Sequence, residues 1–152
     1  MSTDRSVESR LQEIEDREEI RALIHEYRRQ LDRRDFAAYA ALFTRDGEFV
    51  GNVGRAQTPA GIQAMLEGLL GPNPEPPGPT QFHLVANTQI DVTGDTATGT
   101  STFAVIRREE GDQPALQLFG EYEDTFARED GRWRIRRRIA HVDIPSRRVT
   151  TG

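Results

Sequence analysis

The chain has 152 residues, 36% of them hydrophobic and 30% charged, with a formal net charge of −5. That length suits one domain with a real core, the low apolar content calls for a strongly charged surface, and the net acidity argues against nucleic acid as a partner. There is no cysteine, which excludes disulfides, thiolate metal sites and a cysteine nucleophile; with no apolar run near the roughly 20 residues of a membrane span and no signal-peptide core at the start, a soluble cytoplasmic protein is expected.

Leu11, Ile14, Leu23, Ile24, Tyr27 and Leu31 recur at helical spacing and predict a helix over 7–34. Its mostly charged first part, 8–19, is expected to project from the body. Asp35 is placed to cap a second helix over 36–43, with Phe36, Tyr39, Ala40 and Phe43 on one face. Asp46-Gly47 then reads as a turn into a short strand, 48–50. Thr58-Pro59 is a helix-start signal, a capping hydroxyl followed by proline. That helix reaches Leu70, burying Ile62, Met65, Leu66 and Leu69, and Gly71 ends it. The proline-rich segment 72–79 is either a plain linker or a rim over a cavity.

From Thr80 onward the period becomes two. Strands are predicted over 82–92, 96–108, 116–128 and 133–142. Thr93-Gly94-Asp95, the stretch 109–114 and Glu129-Asp130-Gly131 supply the turns. On the second strand Ala97, Gly99, Ser101, Phe103 and Val105 alternate with a threonine-rich face. The basic run 134–138 reads as one strand with arginines on two faces, not as a nucleic-acid patch. Residues 1–8 and 146–152 are expected to fray. Helices followed by a meander of long strands predict an α+β fold in a single domain over 1–152. Its helices pack on the concave face of a curved, mainly antiparallel sheet, which leaves a conical cavity suited to a small molecule.

Asp32, near the end of the first helix, and His83, at the start of the first long strand, are the residues to watch. A carboxylate beside an imidazole fixes its tautomer and makes a general base that works near neutral pH. Arg28 lies four residues before Asp32, and such a helical pair contributes about 0.2–0.5 kcal/mol. A carboxylate in the last turn, however, faces the negative end of the helix dipole, at a cost of about 0.3–1 kcal/mol. Asp32 therefore calls for another partner, and a histidine supplies one.

Several segments taken together carry a resemblance. They are 20–31, Asp32-Arg33-Arg34-Asp35-Phe36, Leu42-Phe43-Thr44-Arg45-Asp46-Gly47 and Pro59-Ala60-Gly61-Ile62. His83 and Asn87, Gly94-Asp95-Thr96-Ala97, Gly120-Glu121-Tyr122-Glu123-Asp124 and Asp130-Gly131-Arg132-Trp133-Arg134-Ile135 complete the set. In that order and spacing the chain resembles the SnoaL-like family of the nuclear transport factor 2-like superfamily, which includes scytalone dehydratase-like and lindane dehydrochlorinase-like proteins. The resemblance implies a cone-shaped α+β barrel and proton abstraction without metal or organic cofactor. It places Asp32 and His83 at the positions of the family's catalytic aspartate and histidine. Arg138 matches a last-strand arginine by its spacing from Trp133; Arg136 and Arg137 are the fallbacks, because a bulge shifts parity by one. Tyr27 stands where the dehydrochlorinase-like enzymes have lysine, and Thr102 or Phe103 stands where scytalone dehydratase has a second histidine. This fold also hosts non-catalytic binders, so function has to be argued from the site.

The expected catalytic set is thus Asp32, His83, Arg138 and Tyr27. A buried phenol such as Tyr27 wants a partner and can act as acid or electrophile. Phe43, Phe49, Met65, Leu66, Phe103, Phe119 and Tyr122 are the expected substrate contacts. His25 reads as a surface or packing residue, and His141 is a candidate for the cavity mouth. No His-x-x-x-His or Glu-x-x-His motif suggests a metal site, and no Gly-x-Ser-x-Gly elbow suggests a serine nucleophile. The leading expectation is a dehydratase- or cyclase-like lyase or isomerase acting on a small, largely apolar carbonyl or aromatic, polyketide-like compound. A non-catalytic binding or assembly module is the alternative, in which Gln117, Glu121, Glu123 and the threonines form a polar sheet face. The small subunit of an aromatic-ring dioxygenase is a third. A homodimer or homotrimer is expected, with no nucleic-acid or membrane partner.

Overall fold

Ser6 starts the first element: its hydroxyl accepts the Ser9 N–H at 3.2 Å and opens α1, Val7–Arg33. The computed structural model describes residues 5–74 and 78–146. Most of the expected frayed ends and the middle of the proline-rich segment lie outside the described residues. Ile20, Leu23, Ile24, Tyr27 and Leu31 form the buried stripe of α1, while Leu11 and Ile14 are exposed. The first half of the helix does not simply project. Asp16 is buried there, and its Oδ1 accepts from Arg128 Nη2 at 2.7 Å, Trp133 Nε1 at 2.9 Å and Gln12 Nε2 at 3.1 Å. Those bonds pin the helix to the far strands.

Arg34 ends α1 in the left-handed region, with φ 58°. Its guanidinium donates to the Leu70 and Pro72 carbonyls and to Thr80 Oγ1, each at 2.8 Å, and so clasps both ends of the proline-rich segment. Asp35 caps α2, Phe36–Ala40, through the Ala38 N–H. This helix is shorter than its sequence pattern, because the Leu42 carbonyl is captured by the Ile135 N–H and Phe43 already belongs to a strand. Strand β1 is Phe43–Gly51, and Asp46-Gly47 is a bulge within it, not a turn before it. Gly47 is required there, since a Cβ would lie 2.7 Å from Phe43 Cβ. A short hairpin partner, β2 (Gly54–Gln57), was not foreseen: four residues with little apolar content leave no periodic signal. In α3, Thr58–Leu70, the Thr58 hydroxyl accepts the Gly61 N–H as the sequence signal requires.

Four long strands follow: β3 (Gln81–Thr93), β4 (Thr96–Glu109), β5 (Gln113–Glu129) and β6 (Arg132–Ile144). The six strands form one sheet in the order β2-β1-β6-β5-β4-β3. Every pairing is antiparallel except β1 with β6, which is parallel. Helices precede strands and the core gathers Ile20, Tyr27, Ile62, Phe126, Trp133 and Ile135. The α+β expectation therefore holds.

Bulges at Asn87, Gln117 and Arg136 interrupt the ladder. Each inserts one residue, reverses the parity of the strand beyond it and bends the sheet. On β6 the inward residues are thus Trp133 and Ile135 before the bulge, but Arg138, Ala140 and Val142 after it. The opposite face exposes Phe82, Leu84, Leu116, Phe119 and Ile144. Among the described residues no helix is long and apolar enough to cross a membrane.

Candidate active site

Because β3 is the sheet's edge, its outward N–H groups lack a strand partner. The end of α1 covers that edge, and the His83 backbone N–H meets the Asp32 carboxylate at 3.1 Å (Oδ1) and 3.3 Å (Oδ2). The His83 ring joins the same group, with Nδ1 2.7 Å from Oδ1. An ionised carboxylate only accepts, so Nδ1 carries a proton, and in the neutral ring that leaves the lone pair on Nε2. Asp32 and His83 are 6% and 8% exposed, yet His83 borders a cavity, so its imidazole is shielded from bulk water without being sealed off. Arg28 stands 3.4 Å from Asp32 Oδ2 and is partly solvated, which makes it the weakest of these contacts.

The cavity encloses about 610 Å³ between the helices and the sheet. Tyr27 and Leu31 of α1, Tyr39 of α2, Phe49 of β1 and Leu66, Leu69 and Leu70 of α3 form one wall. His83, Phe103, Val105, Tyr122, Ala140 and Val142 form the other. Of the expected substrate contacts, Phe49, Leu66, Phe103 and Tyr122 line this cavity. Phe43 is not in the lining but behind it, packed on the rings of Tyr27 and Tyr39. Met65 lies against Gly54 instead. Phe119 points to the other side of the sheet and is 45% exposed. Strict alternation from Tyr122 excludes it, since an odd separation along a strand reverses the face. Tyr39, Leu31 and Val105 were missed as lining, although Leu31 is one turn beyond Tyr27 and Val105 shares a face with Phe103. Leu69, expected in the core, is 51% exposed and borders the cavity. A smaller concavity of about 230 Å³, lined by Gln89, Asp91, Glu123 and Arg137, contains neither Asp32 nor His83.

Gly120 lets the sheet wall close. A Cβ there would strike the His141 carbonyl oxygen and lie 2.6 Å from the Phe103 ring. Phe103 instead stacks on Tyr122, with centroids 4.1 Å apart.

Arg138 is fully buried and does not line the cavity. Its Nε and Nη2 grip the Asp124 carboxylate at 2.7 and 2.6 Å, and its guanidinium lies 3.9 Å from the Tyr27 ring centre and 4.0 Å from that of Tyr122. Arg138 is thus a cation behind the aromatic wall, not an arginine in the cavity, with Nη1 lacking a partner among the described residues. Burial works against its charge, but Asp124 outweighs that and keeps it protonated. Asp124 is pushed upward by burial despite the pull of Arg138. Burial also raises Tyr27, though Arg138 draws it back. Tyr39 and Tyr122 rise well above the ordinary phenol, through burial and then Tyr27. All three phenols are therefore neutral near neutral pH, and all three line the cavity. Of the fallback arginines, Arg136 is exposed and Arg137 pairs with Glu48 at 3.0 Å. His25 is exposed as expected, whereas His141 faces away from the cavity and meets Glu123 at 3.1 Å. Among the described residues no three His, Asp or Glu are grouped to hold a metal ion.

The comparisons agree with this architecture. A family profile for the SnoaL-like domain matches residues 12–139. An NTF2-like protein with a cystatin-like fold from Novosphingobium aromaticivorans is 28% identical over 95% of this chain and 94% of its own, with a TM-score of 0.80. ActVI-ORFA from Streptomyces coelicolor is 30% identical over 83% of this chain and 96% of its own, with a TM-score of 0.70. A protein assigned as a scytalone dehydratase from Novosphingobium aromaticivorans is 26% identical over 90% of this chain and 88% of its own, with a TM-score of 0.70. No curated protein sequence matches the chain.

Proposed function

The chain belongs to the SnoaL-like family, and from that premise we propose that it is a cofactor-independent lyase or isomerase that moves a proton on a small, largely apolar carbonyl compound. The observation that carries the reading is the contact of His83 Nδ1 with Asp32 Oδ1 at 2.7 Å, on an imidazole that borders the cavity. The relative assigned as a scytalone dehydratase supports it. A binding module has no need to keep a carboxylate-oriented imidazole at the cavity surface.

In this reading His83 Nε2 takes a proton from the carbon beside the carbonyl. The C–H pair moves into a carbon–carbon double bond, and the carbonyl pair moves onto oxygen. Asp32 stabilises the imidazolium as it forms. Tyr27, a neutral phenol at the wall, donates to the oxyanion, and the Arg138 cation behind its ring favours the donated state. The electrons then return, either expelling a β-leaving group, which makes the enzyme a lyase, or recovering a proton from the imidazolium at another carbon, which makes it an isomerase.

The test needs no natural substrate. Deuterium incorporation beside the carbonyl of α-tetralone, followed by proton NMR in D₂O, reads the first step alone. The wild type accelerates it, whereas His83→Ala binds the ketone and does not. Exchange at the wild-type rate by His83→Ala overturns the mechanism.

A further inference from the structure

Among the described residues that line the cavity, Arg107 carries a full charge and His83 is the other titratable side chain that is not a phenol. Arg107, two residues beyond Val105 on the inward face of β4, borders the cavity and is exposed. Among the described residues its side chain has neither a hydrogen bond nor an ion pair. That sets it apart from Arg138, whose charge is matched by Asp124. Its cross-strand partner is Gln81, which also lines the cavity, and Gln117 joins them. Gln117 is the extra residue of the β5 bulge, since Val105 pairs with Leu118 and Ile106 with Leu116. The bulge thus brings a carboxamide to the same rim. Exposure rises along β4 from buried Phe103 and Val105 to exposed Arg107, so this polar group marks the mouth.

We infer that Arg107, with Gln81 and Gln117, is an anion-recognition site at the cavity mouth, and that the substrate carries a carboxylate or similar oxyanion there. A guanidinium fork with two carboxamides matches a planar two-oxygen anion. Strand spacing fixes where the anion sits. Gln81 is two residues from His83 on one face of β3, roughly 7 Å along the strand, and Arg107 lies one strand spacing of about 4.8 Å across from it. The anion and the carbon that loses its proton are therefore separated by about the width of one ring. The substrate class becomes an apolar carbonyl acid, held with its apolar body against Tyr122 and Phe103 and its charged end outward. Recognition at the mouth rests on the cavity reading above, but not on His83 acting as the base.

The experiment compares two isosteric probes, 2-naphthoate and 2-naphthamide, by isothermal titration. Wild-type protein binds the naphthoate about two- to fivefold more tightly, the range for one ion pair at a partly solvated site. Arg107→Gln removes that preference, and Arg107→Lys restores part of it. His83→Ala keeps the preference, which separates this inference from the proton-transfer mechanism. Equal binding of the two probes by wild type, no saturable binding of the naphthoate, a preference that survives Arg107→Gln, or one lost in His83→Ala each overturns it.

Discussion

His83 offers two donors to Asp32, its backbone N–H and its ring Nδ1, so one carboxylate both seals the edge of the sheet and sets the imidazole. The two roles are separable. Asp32→Asn keeps an oxygen for the backbone N–H but loses the charge that stabilises an imidazolium. Its α-tetralone exchange falls by about 10²- to 10⁴-fold while the fold persists. Asp32→Ala loses the exchange and also leaves a buried N–H unpaired, costing about 1–3 kcal/mol in urea denaturation. Wild-type exchange by Asp32→Asn reduces the carboxylate to a structural cap.

Much of this arrangement was legible in the chain. Asp32 betrays itself by standing at the wrong end of its helix dipole, and the tetrad of long strands shows in the period-two pattern. What failed was parity. Local alternation cannot locate an inserted residue, so the bulges at Gln117 and Arg136 had no signal of their own, and the inward turn of Arg138 was expected from the family resemblance and not from the pattern of β6. The parallel pairing of β1 with β6 joins residues such as Phe49 and Arg138 that are far apart in sequence, and no local pattern encodes it. The role of Arg138 changed for a related reason: its burial depends on Asp124, Tyr27 and Tyr122 from two other elements.

The buried Arg138–Asp124 pair should tolerate joint removal better than the loss of one member. Asp124→Asn or Arg138→Met leaves an unmatched buried group and costs about 3–5 kcal/mol. The double substitution Arg138→Met with Asp124→Leu costs much less than the two single effects added together. A denaturation double-mutant cycle checks this, and additive losses would show that the two groups do not depend on one another.

Asp16 gives the protein an acid-sensitive anchor. Burial pushes its carboxyl upward, but hydrogen bonds from Trp133, Arg128 and Gln12, with the Arg128 charge, outweigh that and hold it below the ordinary carboxylate range. A depressed folded-state value means that its stabilisation is complete above the unfolded value, about pH 4, and is lost as pH falls through the folded value. Asp16→Asn should therefore lose stability near neutrality, by roughly 1.5–3 kcal/mol. It should also show a flatter decline than wild type below about pH 4. Parallel acid-unfolding curves for the two proteins would contradict this.

Gly120→Ala tests the sheet wall. The new methyl meets a backbone carbonyl that cannot yield and a Phe103 ring that can move only by leaving Tyr122. A loss of about 1–3 kcal/mol follows from overpacking, together with weaker α-tetralone binding. Thermal unfolding and ketone titration read the two effects, and unchanged values in both would mean the wall is pliable.

Helix α1 is fastened at two points sixteen residues apart, Asp16 to Trp133 and Arg128 at one end and Asp32 to His83 at the other. At about 1.5 Å per residue these lie some 24 Å apart along a nearly rigid rod. The rod reaches from the β5–β6 side of the sheet to its free edge at β3, so it acts as a strut across an open arch. Spreading the arch would have to break one fastening or bend the helix. The imidazole's position is thereby referenced to strands on the far side of the domain, and a lesion at Trp133 would be felt as slackness at His83.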